Sequence, residues 1–379
     1  MLKTLDLQTA DDSRDIVHRT VQALVEGQVV GVPTETTYAL AANALSESAV
    51  SRLYEITSAS EKLCTMEVSI RSREAAGDFI SSGSSTARRL IYRCWPGPMT
   101  LCVKDEPSCS ALSQLPPSVR SLVVGENQSV GYRVVDHDIL DHIHRYLSAP
   151  LVLATCGGAT GDDIASDADF LAQHFRESMP LLLDDGPTRY GGVTTVVHVD
   201  GNRWKLLREG VIERAAMNQF VKPVIALVCT GNTCRSPMAE TLLREQLRKH
   251  TGCEDAVRVL SAGVAAGCGA GASPQAVAVM GKRGLDLTGH SSRPLDESVM
   301  HVADLVLTMT RGHRAAILAA WPDMHDRVFT LRRDGGDIAD PVGMAVEVYQ
   351  ACADQIDCEL EKWMDSLEDD FFPRNESNR

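Results

Sequence analysis

The run Val228-Cys229-Thr230-Gly231-Asn232-Thr233-Cys234-Arg235-Ser236-Pro237 sets a cysteine and an arginine six positions apart, between an apolar segment and a helix-forming one. Pro223 to Val228 is short and valine-rich and reads as a buried strand. After the run, Ser236 suits an N-cap and Pro237 the first helical position, and Ala239, Leu242, Leu243 and Leu247 recur at helical spacing. The loop between them therefore gathers backbone N–H groups and the positive end of a helix dipole around one point, where an oxyanion binds. A cysteine thiolate is stabilised by the same field. Cys229 is then the nucleophile that attacks phosphorus, Arg235 holds two phosphoryl oxygens in its planar fork, and Ser236 donates a hydrogen bond to the departing thiolate. Thr230, Gly231, Asn232, Thr233 and Cys234 supply the rest of the phosphate cradle. A buried cysteine beside a surface arginine is the plainer account of two such residues. The ordered series of strand, cysteine, small loop residues, arginine, serine and helix argues against it.

Cleavage of a phosphoryl group also needs a proton donor for the leaving atom and later a base for water. Asp340 is the candidate, in the turn-forming segment Gly336-Asp337-Ile338-Ala339-Asp340-Pro341-Val342-Gly343. An Asp-Pro-x-Gly turn taken alone is more often structural than catalytic.

With these segments in hand, residues 223 to about 366 resemble the low molecular weight phosphotyrosine phosphatase family, nearest its bacterial protein-arginine-phosphatase branch. The resemblance extends beyond the loop to Ser261-Ala262-Gly263, Ser273-Pro274-Gln275-Ala276-Val277, Gly289-His290-Ser291-Ser292-Arg293, Asp304-Leu305-Val306-Leu307-Thr308-Met309 and Asp340-Pro341. It implies an α/β domain whose four parallel strands alternate with helices, with the active loop after the first strand. It also implies Cys229 as nucleophile, Arg235 as phosphate clamp and Asp340 as general acid, acting on phosphorylated proteins without metal or organic cofactor. In this family the position of Thr233 tends to be threonine in arginine phosphatases and a bulkier aliphatic residue in tyrosine phosphatases, so phosphoarginine is the expected substrate. Val342 stands where many phosphotyrosine sites place an aromatic wall, although Tyr349 follows a few residues on. Cys234 is either a reversible disulfide partner of the nucleophile, as in the family, or a packing residue of the loop.

The first 210 residues alternate helices and strands. The pattern predicts a helix over 15–26 ended by Gly27, a strand over 29–33 and a helix over 47–57. Further strands fall near 66–70, 99–104, 130–134, 151–155, 193–199 and 203–208. Many strands with few helices imply an α+β domain with a large mixed sheet. The two domains are expected at 1–212 and 223–379, joined by a short polar segment.

Four N-terminal segments resemble the threonylcarbamoyl-adenylate synthase family, also called YrdC-like, whose enzymes join threonine, bicarbonate and ATP on the way to a modified tRNA base. They are Gly31-Val32-Pro33-Thr34-Glu35-Thr36-Thr37-Tyr38, Trp95-Pro96-Gly97-Pro98-Met99-Thr100-Leu101, Gly131-Tyr132-Arg133-Val134, and Thr194-Thr195-Val196-Val197 with Leu207-Arg208-Glu209-Gly210. The resemblance makes Thr34, Lys62, Arg133, Thr194 and Arg208 the candidate ligand site, with contacts for carboxylate, phosphate or hydroxyl groups, and ATP a substrate. Three motifs depart from the family. Its Lys-x-Arg is Thr57-Ser58-Ala59, with only Lys62 nearby. Its Ser-Ala-Asn is replaced by Ala154-Thr155-Cys156-Gly157-Gly158, and the glycine after Tyr38 is Ala39. Two missing cations remove charge-assisted contacts worth roughly 1.5 to 3 kcal/mol each, so ATP binding is expected to be weakened.

The chain has 379 residues, enough for two cores, and eleven cysteines without paired spacing, which fits a reducing compartment. The first twenty residues carry charges throughout, and no later run approaches a membrane span, so a cytoplasmic protein is expected. A net charge of -14 opposes non-specific binding to nucleic-acid phosphates but leaves room for a local basic groove. Glu368-Asp369-Asp370 and the segment beyond Pro373 read as a solvated tail. No metal framework is visible. His137, His142 and His144 lie at a spacing that scatters them around a helix and read as solvated, while Cys352 and Cys358 read as core positions of a terminal helix.

Three functions compete: a protein phosphatase preferring phosphoarginine; a threonylcarbamoyl-adenylate synthase acting in tRNA threonylcarbamoyladenosine modification; and an N-terminal module that binds nucleotide, tRNA or double-stranded RNA and directs the phosphatase to a partner. If Thr233 sets substrate choice, Thr233→Ile raises the ratio of phosphotyrosine to phosphoarginine turnover. An unchanged ratio in parallel phosphate-release assays overturns that role.

Overall fold

The computed structural model describes residues 2–10, 12–59, 65–80, 84–106, 110–125, 128–155, 164–252 and 256–371. The chain divides into two compact units, Met1–Val221 and Lys222–Arg379.

In chain order the first unit comprises β1 (Lys3–Asp6), α1 (Ser13–Val25), β2 (Val30–Val32), β3 (Ala39–Asn43), α2 (Glu47–Ala59) and β4 (Thr65–Ser69). There follow α3 (Ser85–Cys94), β5 (Met99–Lys104), α4 (Pro117–Val123), β6 (Ser129–Arg133), α5 (Asp138–Tyr146) and β7 (Leu151–Thr155). The unit ends with α6 (Ala168–Phe175), β8 (Leu181–Asp184), β9 (Thr195–Asp200), β10 (Arg203–Arg208) and α7 (Arg214–Val221). The strands form one sheet in the order β1-β8-β2-β3-β7-β4-β6-β5-β9-β10. Its pairings are mixed: β4 runs parallel to β6 and β5 to β9, whereas β3 is antiparallel to β2 and β7. Successive side chains of a strand go to opposite faces, and the two faces build separate cores. Leu40, Ala42, Val152 and Ala154 join one, and Ala39, Ala41, Leu151 and Leu153 the other. Ile16, Val17 and Leu24 of α1, with Ile139, Leu140 and Ile143 of α5, close the second core.

The large mixed sheet agrees with the expectation from the sequence, but the expected scarcity of helices does not hold. Helices α3, α4, α6 and α7 were not foreseen, nor were strands β1, β3 and β8. Strand β3, Ala39-Leu40-Ala41-Ala42-Asn43, has no β-branched or aromatic residue and is a strand because its neighbours pair it on both sides. The segment read as a polar connection carries α7, which buries Met217 and is tied to α3 by Arg93 Nη1 donating to the Phe220 carbonyl at 2.7 Å.

The histidine expectation is corrected in part. His142 is exposed, but His144 is buried beside Ser69, with Nε2 3.0 Å from Ser69 Oγ, and burial pushes its imidazole down to about 4. His137 caps α5 and faces Asp185 at 3.2 Å. On α5 the inward face takes positions 139, 140, 143 and 144, so only His142 is left in solvent.

The second unit comprises β11 (Val224–Cys229), α8 (Arg235–Thr251), β12 (Arg258–Gly263), α9 (Pro274–Lys282), α10 (Glu297–Val302), β13 (Leu305–Thr308), α11 (Arg311–Ala320), β14 (Val328–Thr330) and α12 (Val346–Phe371). Its four strands are all parallel, in the order β12-β11-β13-β14. The chain leaves β11 to build β12 on one side and β13 on the other, so β11 is where the winding reverses. Beyond the carboxyl end of such a strand an open α/β sheet leaves a crevice for ligand. Strand β11 is buried at all six positions, as a parallel strand covered on both faces requires. Along α12, Tyr349, Cys352, Ala353, Ile356, Leu360 and Met364 repeat at helical spacing and enter the core with Leu242, Leu243 and Leu247 of α8. Cys358, expected in that core, is exposed.

Strand β12 ends against the loop that follows β11. A Cβ on Gly263 would lie 2.4 Å from the Thr230 carbonyl oxygen, 2.8 Å from Ala266 Cβ and 2.9 Å from the Asn232 nitrogen. Two of these three neighbours are backbone and cannot rotate away. Gly263→Ala is therefore expected to destabilise the protein by about 1–3 kcal/mol and to displace the loop. Urea unfolding measured beside phosphatase activity checks this, the activity falling by more than the unfolded fraction explains.

Candidate active site

Cys229 is the last residue of β11 and is 3% exposed. Its Sγ accepts a hydrogen bond from the Asn232 N–H at 3.3 Å and lies 3.0 Å from Ser236 Oγ. Helix α8 starts two residues before the expected point, at Arg235, with Cys234 at its N-cap and no side-chain cap. Ser236 is therefore inside the first turn, and its hydroxyl serves the thiol and not the helix end. The first N–H groups of α8 remain directed toward the loop, which is the requirement for binding an anion there.

The turn is made by Asn232, a non-glycine residue at φ +54° and fully buried. Asparagine tolerates this left-handed conformation better than most residues, and here its side chain is fixed on every side. Its Nδ2 donates to Ser236 Oγ at 3.0 Å and to Ser261 Oγ at 2.9 Å, and its Oδ1 accepts from the Arg293 N–H at 2.9 Å. His290 Nε2 lies 2.7 Å from its carbonyl oxygen, and Ser261 in turn donates to Glu240 Oε2 at 2.6 Å. Ser261, His290 and Arg293 fall within segments that the sequence singled out by resemblance, without a role attached.

Arg235 is 4% exposed, donates from Nη1 to the Ile338 carbonyl at 3.0 Å, and from Nη2 pairs with Asp340 Oδ2. Asp340, half-exposed, also accepts from the Val342 N–H at 3.2 Å, the turn foreseen at Asp-Pro-x-Gly. Thus Asp340, distant along the chain, joins Cys229, Arg235 and Ser236 beyond the end of β11. Thr230 is exposed and Gly231 and Thr233 half-buried at the rim of the loop. Cys234 is buried with its Sγ 3.3 Å from the Tyr349 hydroxyl and 3.4 Å from Ser273 Oγ. Tyr349 therefore lies behind the loop in the core, and Val342 is exposed beside Asp340. Sequence reasoning missed His313 of α11, whose Nε2 lies 2.9 Å from Thr230 Oγ1; its one local signal was Thr310 three residues earlier, the N-cap of α11.

In the first unit the structure brings Thr34, Arg133, Thr194 and Arg208 together and leaves Lys62 outside the described residues. Arg133 donates from Nη1 to Thr194 Oγ1 at 2.9 Å and from Nη2 to Thr36 Oγ1 at 2.8 Å, and Thr36 Oγ1 is 3.0 Å from Thr34 Oγ1. Arg208 Nε donates to the Thr194 carbonyl at 3.0 Å. Two carboxylates that the sequence reading did not single out complete the cluster: Glu35 at 2.9 Å and Glu67 at 3.2 Å from the Arg133 guanidinium. Glu67 also accepts from Thr100 Oγ1 at 2.5 Å. Burial works against the Arg133 charge, but Glu35 and Glu67 outweigh it and hold the guanidinium above its ordinary value. The expected contact for a ligand's carboxylate or phosphate is thus wholly enclosed and already faces two carboxylates of its own chain. Thr57, which replaces the first cation of the motif expected from the sequence, donates to the Tyr54 carbonyl at 2.9 Å within α2.

A parallel α/β sheet with a buried cysteine, an arginine and an aspartate around an anion-binding loop defines a cysteine-dependent phosphatase class. Residues 224–372 match the family model described as low molecular weight phosphotyrosine protein phosphatase, and residues 22–210 match the Sua5/YciO/YrdC model described as telomere recombination. A protein-arginine-phosphatase of Bacillus subtilis (strain 168) is 40% identical over 137 residues, 35% of this chain and 89% of that protein. A probable low molecular weight protein-tyrosine-phosphatase EpsP of Ralstonia nicotianae is 36% identical, over 37% of this chain and 92% of its own length. A crystal structure of a YwlE mutant from Bacillus subtilis shares 37% identity, covering 39% of this chain and 99% of that one, with a TM-score of 0.36. The chain belongs to the low molecular weight cysteine-dependent protein phosphatase family, fused behind a Sua5/YrdC domain.

Among the described residues, no helix is long and apolar enough to cross a membrane. Replacing Arg133 with methionine strands Glu35 and Glu67 as unpaired buried charges. Arg133→Met is expected to lower stability by about 3–5 kcal/mol, measured by denaturant unfolding, with partial recovery in the double variant Arg133→Met/Glu67→Gln, which still leaves Glu35 unpaired.

Proposed function

We propose that the second unit hydrolyses phosphorylated protein side chains, phosphoarginine in preference to phosphotyrosine, through a covalent phosphocysteine at Cys229. The observation that carries this reading is the convergence of Cys229 Sγ, the Asn232 N–H, Ser236 Oγ, Arg235 and Asp340 at the carboxyl end of β11. An arriving phosphoryl group exchanges places with Asp340 on the Arg235 fork, and the released carboxylate takes up a proton from solvent. The Cys229 thiolate attacks phosphorus in line, the bond from phosphorus to the leaving nitrogen or oxygen breaks, and Asp340 passes that atom a proton. In the second half Asp340 takes a proton from water as the water attacks phosphorus. The sulfur–phosphorus bond breaks, and the released thiolate is received by the Asn232 N–H and the Ser236 hydroxyl. Arg235 and the loop N–H groups supply the positive charge throughout, so the reaction as drawn uses no metal or organic cofactor.

Support for phosphoarginine comes from Thr233 at the rim, from the exposed aliphatic Val342 where an aromatic wall would grip a phenol, and from the arginine phosphatase relative. For the first unit, the internal pairing of Arg133 with Glu35 and Glu67 favours a binding module, for a nucleotide or tRNA, over a working threonylcarbamoyl-adenylate synthase. Phosphate release from a phosphoarginine and a phosphotyrosine protein, side by side, tests the main reading. Wild type is expected to act faster on phosphoarginine, Cys229→Ser to fall to background, and Asp340→Asn to lose roughly 10²- to 10⁴-fold in kcat. No release from either substrate by wild type overturns it.

A further inference from the structure

His313 takes no part in the chemistry above, yet it touches the loop that performs it. The ring is 8% exposed, its Nε2 lies 2.9 Å from Thr230 Oγ1, and its Nδ1 has no hydrogen-bond partner. Thr230 is the residue directly after the nucleophile. His313 sits in the first turn of α11, where its own N–H bonds the capping Thr310 Oγ1 at 3.2 Å. The positive end of that helix dipole disfavours a second positive charge on the ring. Burial and the nearby Arg235 act in the same direction, Asp340 and Asp337 oppose them, and together they push the imidazole below its ordinary value. Arg311, on the same helix, is occupied by Asp337 at 3.4 Å. In the neutral ring, Nε2–H donating to Thr230 leaves a bare lone pair at Nδ1. The other tautomer would leave a buried N–H without an acceptor, the costlier arrangement.

These charges are balanced against imidazolium only while Arg235 faces no bound anion. An oxyanion seated on Arg235 and the loop adds negative charge beside Thr230, which favours the imidazolium more than Asp340 alone does at rest, while burial goes on opposing it. We propose that His313 is a positioning residue that couples occupancy of the phosphate loop to uptake of one proton from solvent. The proton is taken at Nδ1, whose N–H then has no acceptor, a cost that the negative charge of the bound anion has to outweigh. The imidazolium then donates from Nε2 to Thr230 a charge-assisted hydrogen bond, roughly twice as strong as the neutral one, and fixes the first residue of the cradle while the anion is present. The inference rests on the phosphatase reading of the same loop. It adds a group that the family resemblance did not supply and that touches neither the nucleophile nor the leaving atom.

The test uses sulfate, whose own charge does not change at neutral or mildly acidic pH, and the full chain. Histidine-labelled protein followed by NMR across that range, with the His313 signal assigned by its loss in His313→Gln, is expected to show a titration midpoint about 1 unit or more higher with sulfate bound. Calorimetry in buffers of different ionisation enthalpy then counts protons. In a Cys229→Ser/Asp340→Asn chain, which removes the titrations of the thiol and of the carboxyl group that the anion displaces, sulfate binding near the midpoint is expected to take up as much as about one proton. The uptake is lost when His313→Gln is added. A His313 midpoint that does not move with sulfate bound, or proton uptake that survives His313→Gln, overturns the coupling while leaving the phosphatase reading intact. A wild-type chain that neither binds sulfate nor releases phosphate overturns both.

Discussion

Asn232 holds a left-handed backbone conformation inside a closed set of hydrogen bonds, and the active loop depends on it. A non-glycine residue at positive φ is strained unless its surroundings determine it, and such strain persists where structure has a use for it. Here the constraint turns the Asn232 N–H back onto Cys229 Sγ and sets Ser236 beside the same sulfur. Gly263 on the neighbouring strand admits the loop backbone at a distance no Cβ would allow. The sheet fixes where β11 ends, the asparagine fixes how the chain leaves it, and the start of α8 directs its N–H groups to the same point.

The two units treat charge in opposite ways. In the second, Arg235 is buried but has one carboxylate partner that is itself half-exposed and can be exchanged. In the first, Arg133 is fully enclosed and holds two buried carboxylates, with three threonines in the same network. A charge that must meet a ligand is left with a replaceable partner. A charge that is satisfied internally contributes to the shape of the fold, because removing the arginine leaves both carboxylates unpaired in a medium of low polarity.

Much of this was legible in the chain. The spacing of Cys229 and Arg235 between an apolar strand and an amphipathic helix declares its chemistry because few other uses require those residues in that order. Strands β5, β7 and β10 fall where their apolar residues and flanking turns place them. The misses have physical causes. Strand β3 is alanine-rich and owes its conformation to its partners, and α7 packs only three apolar residues, too few to mark a helix against polar surroundings. His144 looked like its solvated neighbours because the sequence does not reveal which side of α5 meets Ser69. Glu35 and Glu67 were passed over because acidic residues are seldom buried, and only the fold brings Arg133 between them.

The pairing of Asp340 with Arg235 makes the resting loop its own tethered competitor. A carboxylate attached to the same chain acts at a high effective concentration, so any oxyanion that takes the guanidinium must outbid a rival that never diffuses away. A singly charged, loosely held anion gains little by that exchange. A doubly charged phosphoryl group, reaching the arginine and the loop N–H groups together, gains more. The contact therefore acts as a threshold filter on weak anions, and it frees the Asp340 carboxyl group at the moment the phosphoryl group is in place.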